Sequence, residues 1–214
     1  LTQLEEKIHY AVLFVSSEKD IKVASDIVRS IEKHQGKIIL LVPARGVEAF
    51  VANLKGFIDL KVTICFLGDL FGKNIPFSYS PVSKLIHDAT VYKKAYFTGN
   101  DLSPIFPISS SDALSALNAI LFGSQKNGEI HYLFYQHPQT IISAVHLIKR
   151  HEIDLAIEFL EKENIDAAKS LVEIEQLLSN NGLSKPTFLD ENMAGFEKKE
   201  RPIEDIWSYY RINK

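Results

Sequence analysis

The sequence predicts an α/β protein with a mostly parallel central sheet, and three observations carry that prediction. Short apolar runs rich in Val, Ile and aromatics recur at residues 9–17, 37–44, 61–67 and 129–135. Stretches with apolar residues at helical spacing separate them. Gly, Asn and Pro stand where one period gives way to the other. Strands that alternate with helices in this way imply crossover connections and a sheet covered by helices.

The elements follow in order. His9 to Ser17 (HYAVLFVSS) is a continuous apolar run, the pattern of a strand buried on both faces. Glu18 to Gln35 carries Ile21, Ala24, Ile27, Val28 and Ile31 at helical spacing; Ser17 and Asp20 resemble a capping box and Gly36 stands as the stop. Lys37 to Ala44 is a second buried strand, Val47 to Phe57 a short helix, and Lys61 to Leu67 a third strand. Gly68 to Pro81 reads as loop and Val82 to Tyr92 as helix. Ala95 to Thr98 reads as a short fourth strand ended by Gly99 and Asn100. Pro104 and Pro107 keep Asp101 to Ile108 out of any regular element. Asp112 to Phe122 is a helix, Asn127-Gly128 a turn, and Glu129 to Tyr135 the last strand. Pro138, at a favoured first helical position, opens a helix to about Arg150.

From Glu152 the pattern is wholly helical. Ile153, Ile157, Leu160, Asn164, Ala167, Leu171, Ile174 and Leu178 advance by alternating steps of four and three, a heptad seam with one Asn inside it. It predicts a long helix or helical hairpin packed on the sheet, or a seam for a homodimer with the Asn setting register. Asn180-Asn181-Gly182 ends it, and a charged tail carries Trp207, Tyr209 and Tyr210. The organisation expected is a Rossmann-like three-layer domain over 1–150, a helical segment over 151–182 and a tail over 183–214.

Composition bounds the function. The chain has 214 residues, 46% of them hydrophobic and 24% charged, which excludes a disordered chain, a collagen and a disulfide scaffold. A net charge of −3 argues against a nucleic-acid partner, which needs clustered Lys and Arg. The single cysteine, Cys65, lies in the apolar run VTICFL and reads as a buried core thiol. No apolar run has the length of a membrane span and no signal peptide is visible, so the expected location is cytoplasmic.

In open parallel sheets, ligands bind at the carboxyl ends of the strands. The strands deliver Ser16 and Ser17, then Arg45, then Asp69, then Thr98 to Asp101, then His137 to that rim. Ser109, Ser110 and Ser111 precede a helix, where hydroxyls and free N–H groups suit a phosphate; one of three serines also suits a plain N-cap, and Asp112 opposes an anion. Arg45 suits a phosphate or carboxylate, with an exposed loop charge as the bland alternative. Asp69 and His137 are the acid/base candidates, against a turn aspartate and an exposed loop histidine. No Gly-x-Gly-x-x-Gly follows the first strand, no phosphate-binding Gly-x-x-x-x-Gly-Lys loop is present, and no pattern of metal ligands appears; the site residues call for no cofactor or metal.

Two resemblances attach to these residues. His137-Pro138 after a strand resembles the His-Pro element of bacterial CMP-dependent sialyltransferases, which implies a nucleotide phosphate at that helix start; their acidic-acidic-Gly element is absent here. Tyr10 to Asp20 (YAVLFVSSEKD) resembles the opening of a TIR domain, which implies a catalytic Glu on a later helix; none can be placed after Phe66. The functional expectation is a protein that binds a nucleotide, nucleotide-sugar or phosphosugar, as a glycosyl-type transferase or one domain of it. The other reading is a non-catalytic ligand-sensing or interaction module that self-associates through its C-terminal helix.

Overall fold

A computed structural model describes residues 9–32, 36–97, 102–123, 127–160, 169–189 and 203–213. The central sheet contains β1 (Tyr10–Phe14), β2 (Lys37–Pro43), β3 (Thr63–Leu67), β8 (Ile130–Leu133) and β11 (Thr187–Phe188), in that spatial order and all parallel. β2 from Ile38 and β3 from Ile64 are apolar, because helices cover both faces of the sheet there. Helices α1 (Glu18–Glu32), α2 (Val51–Asp59) and α6 (Leu171–Asn180) cover one face. There Ile21, Ala24, Val28, Val51, Leu54, Ile174 and Leu178 meet Leu40, Ile64, Phe66 and Tyr132. A single-turn 3-10 segment, Val47–Ala49, leads into α2. Helix α4 (Ser110–Phe122) covers the other face, with Ala113, Ala116 and Ile120 against Ile39, Cys65 and Leu133.

A second lobe is built around β5 (Lys94–Phe97) and β10 (Ala156–Phe159), which pair in parallel. Helices α3 (Pro81–Val91), α5 (Ile141–His151) and α7 (Ile203–Asn213) enclose it. Two small ladders join lobe and sheet. One pairs β4 (Asp69–Phe71) with β7 (Pro107–Ser109); the other pairs β6 (Pro104–Ile105) with β9 (Gln139–Thr140).

Several expectations are corrected. The first strand is not buried on both faces. As the outermost described strand it leaves Tyr10, Val12 and Phe14 half exposed. The strand at Ala95 does not extend the central sheet but pairs with β10; Thr98 to Asp101 lie outside the described residues. Gly68 to Pro81 contains β4, and Pro104 and Pro107 each begin a two- or three-residue strand, a position that asks no N–H of proline. The helix expected from Pro138 starts at Ile141, because Thr140 caps it through the Ser143 N–H and Gln139 pairs in β9.

The long C-terminal helix is overturned. Ile157 lies in β10, where backbone pairing with β5 takes the place of a helical turn. Among the described residues, helical structure returns at Leu171, started by a reciprocal cap between Ser170 and Glu173. Asn164 and Ala167 lie outside the described residues. The dimer seam proposed for this stretch therefore has no continuous helix to carry it. The late aromatics pack inward instead: Tyr210 is buried in the second lobe and Trp207 stacks on His151 at 4.4 Å. Among the described residues no helix is long and apolar enough to cross a membrane.

His131 ties β8 to β11 through a 2.8 Å hydrogen bond with Thr187, while its Nε2 is buried without a hydrogen bond. Burial holds its pKa below the ordinary 6.5, with nearby Lys37 adding to the effect and Glu129 opposing it. The unfolded chain takes up this proton near the ordinary pKa and the folded chain resists. The contribution is therefore complete above about pH 6.5 and is lost as pH falls below it. The urea midpoint should drop between about pH 7.5 and about pH 5.5, and His131→Gln should flatten that slope. Identical slopes in the two proteins would contradict the burial argument.

Candidate functional site

The carboxyl ends of β1, β2 and β3 open into a cleft of ≈350 Å3. β1 contributes Phe14 and Ser16, β2 contributes Pro43, Ala44 and Arg45, and β3 contributes Leu67, Gly68 and Asp69. Ser78, Tyr79 and Ser80, from the segment before α3, and Phe106 close it. Parallel strands deliver their ends to one rim, so residues far apart in sequence meet here.

The cleft is organised by Asp69, which is only 3% exposed. Arg45 donates from Nε to Asp69 Oδ1 at 2.7 Å and from Nη2 to Oδ2 at 3.3 Å. Nη2 also donates to the Pro104 carbonyl at 2.9 Å. The Phe106 N–H donates to Asp69 Oδ2 at 2.8 Å, and the Asp69 N–H donates to the Phe106 carbonyl at 2.7 Å. Three donors therefore satisfy the buried carboxylate, which is how a charge is tolerated in low dielectric. Gly68 permits the approach: a Cβ there would stand 2.3 Å from the Phe106 carbonyl oxygen. The Arg45 side chain remains 31% exposed, so the fixed guanidinium keeps an edge to solvent.

Tyr79 and Ser80 are site residues that sequence reasoning missed, because the segment read as plain loop. Their signal was Ser80-Pro81. Ser80 caps α3 by accepting from the Ser83 N–H, and Ser80 and Ser83 both donate to the Leu70 carbonyl. This clamps the segment over the cleft. Burial, followed by the nearby Asp69 charge, raises the Tyr79 pKa, so its phenol keeps its proton at neutral pH and is a hydrogen-bond donor.

The remaining predicted residues lie elsewhere. Ser16 is in the cleft, but its N–H and hydroxyl both donate to Asp20 Oδ2, at 2.9 and 3.0 Å. Ser17 caps α1 by accepting from the Asp20 N–H and is not among the lining residues. Those Ser16 and Ser17 bonds hold the Asp20 carboxyl below its ordinary pKa. Ser109 is the N-cap of α4, accepting from the Asp112 N–H and bonded to the Ser111 hydroxyl at 2.9 Å. Ser110 packs on Gly72, where a Cβ would stand 2.3 Å from the Ser110 hydroxyl oxygen. His137 is exposed beyond β8. The three serines and the imidazole are thus not brought to the cleft that gathers Ser16, Arg45 and Asp69. Among the described residues no group of three or more His, Cys, Asp or Glu side chains could hold a metal ion.

No family model matches the sequence, and no curated protein matches it. Solved structures do match. A dTDP-glucose 4,6-dehydratase of Bacillus anthracis in complex with NAD aligns at TM-score 0.60 and 14% identity, over 98% of this chain and 74% of that one. An ADP-L-glycero-D-manno-heptose-6-epimerase of Helicobacter pylori aligns at 0.62 and 12%, over 97% and 74%. A UDP-N-acetylglucosamine 4-epimerase of Methanobrevibacter ruminantium, in complex with UDP-N-acetylmuramic acid, aligns at 0.59 and 10%, over 95% and 76%. At such identities the likeness shows the fold: Rossmann-like α/β with a mostly parallel central sheet.

The dinucleotide of the first neighbour does not fit the end of β1 in this chain. A pyrophosphate needs glycines for close approach and free N–H groups at the following helix. Here Ser16-Ser17-Glu18-Lys19-Asp20 stands in that place, Glu18 and Asp20 bring negative charge to the first turn, and the Ser16 and Asp20 N–H groups are already bonded.

Removing the Asp69 carboxylate should strand Arg45 and leave the Phe106 N–H buried without an acceptor. Asp69→Ala is expected to cost on the order of 3 kcal/mol in urea unfolding at unchanged m-value. Arg45→Met added to it should cost much less than it does alone. Additive effects would mean that the two side chains are not coupled.

Proposed function

We propose that this chain binds the sugar portion of a nucleotide-sugar, or a phosphosugar, in the cleft above β1, β2 and β3. The observation that carries the reading is the guanidinium of Arg45. Asp69 and the Pro104 carbonyl hold it in one orientation at the cleft, next to the Tyr79 phenol. The Arg45 Nε and Nη2 N–H groups are taken by Asp69 and Pro104, which leaves the Nη1 N–H groups for a phosphate or carboxylate oxygen. Phe14, Pro43, Ala44, Leu67 and Phe106 offer apolar surface for the body of a ring. The nucleotide-sugar enzymes among the solved neighbours support the same substrate class.

The glycosyl-transferase reading receives less support. The neighbours named above are dehydratases and epimerases. Asp69 is committed to three donors and His137 lies outside the cleft, so neither is poised as a base. The second reading, a ligand-sensing module without catalysis, is favoured by the lack of a free carboxylate or imidazole among the described residues that line the cleft. In either reading the same residues hold the ligand: Arg45 takes the anionic group, Tyr79 donates a hydrogen bond, and the apolar floor takes the ring.

Thermal shift with UDP-glucose, UDP-glucuronate and dTDP-glucose tests the proposal. Ligand at about 100 times its Kd adds about 2.7 kcal/mol, a rise of roughly 5–10 °C for a chain of this size. Arg45→Lys keeps the charge but loses the fork, and should weaken binding about tenfold, or about 1.4 kcal/mol. NAD alone should give no shift. Failure of every sugar ligand to raise Tm would sink the reading.

A further inference from the structure

β1 is an edge strand, and no described element pairs with its outer side. Val12 and Phe14 stand in register with Ile39 and Leu41, so Tyr10, Val12 and Phe14 share the face covered by α4. They are 51%, 43% and 47% exposed. Beside them α4 leaves Leu114 and Phe122 exposed, and the Phe122 ring meets Tyr10 edge-on at 5.1 Å. Leu114 to Phe122 covers about 12 Å of helix. Tyr10 to Phe14 covers about 13 Å of strand. The Tyr10–Phe122 contact joins the exposed apolar residues of β1 to those of α4. The strand sequence YAVLF holds no charge, proline or glycine, the devices that normally keep an edge from pairing.

We propose that a second copy of this chain occupies this edge, β1 pairing antiparallel with β1 about a two-fold axis at Val12. Charge favours a second copy over a charged partner. β1 is uncharged, and the exposed residues of α4 beside it (Ser111, Leu114, Ser115, Asn118 and Phe122) are uncharged too, so among the described residues of this face a copy meets no like charge. The register is self-complementary. Tyr10 faces Phe14 of the second copy, Val12 faces itself and Ala11 faces Leu13. Aromatic cross-strand pairs of this kind are favourable. The two sheets then run on as one. Phe14 also lines the cleft, so Tyr10 of the second copy stands beside the cleft wall and completes it. The assembly itself does not rest on the ligand reading.

Light scattering on the full chain without ligand, over a dilution series, tests this. The expected molar mass is twice 24.2 kDa when concentrated, falling toward 24.2 kDa on dilution. Val12→Lys places two ammonium groups together at the axis and should give a monomer with unchanged circular dichroism. Leu114→Glu, outside the sheet, provides a second variant if the first does not fold. Amide exchange in wild-type β1 should quicken on dilution. A monomer at every concentration overturns the proposal, as does a dimer that persists in both folded variants, or exchange in β1 that ignores dilution. A monomer would leave the edge to a strand of a different protein.

Discussion

The ion pair between Arg45 and Asp69 is the constraint on which the cleft depends. Arg45 follows β2 and Asp69 opens β4, directly beyond β3. The pair reaches across to Pro104 and Phe106, on the segment that leads into α4. One carboxylate thus fastens three stretches that no short-range signal links. It also decides the chemistry available. A carboxylate holding three hydrogen bonds orders its surroundings and keeps one acceptor position, on Oδ1.

Sheet order adds a second constraint. A doubly wound sheet binds dinucleotides where strand order reverses, because connections diverge there and leave a crevice. The described strands run β1, β2, β3, β8, β11 in sequence order, with no reversal. The Rossmann-like neighbours therefore share the architecture, while the end of β1 offers a phosphate neither the glycines nor the unoccupied N–H groups. Fold and cofactor are separable here, and the residues that separate them are Ser16, Glu18 and Asp20.

Much of the sheet was legible in the sequence, and the reason is local. β2 from Ile38 and β3 from Ile64 are apolar because helices cover both faces, and α1 declares itself by its spacing and the cap at Ser17. The misreadings share one cause: tertiary pairing overrode a local pattern. The 152–179 stretch has heptad spacing, yet Ala156–Phe159 pairs with β5, a partner far back in the chain that periodicity cannot reveal. Pro104 and Pro107 look like breakers but start strands, where the missing N–H does no harm. At the site, Ser16, Arg45 and Asp69 could be named because strand ends are predictable places. The bonds between Arg45 and Asp69, and the part played by Tyr79, were not legible, since the segment before α3 shows its position only after the chain has folded.

β3 and β8 are hydrogen-bonded neighbours, although everything from Gly68 to Glu129 intervenes between them. The entry and exit of that long excursion are pinned side by side. The closure entropy of a loop grows only with the logarithm of its length. The exposed connections within this excursion can therefore lengthen at little thermodynamic cost while the strand ends stay in place.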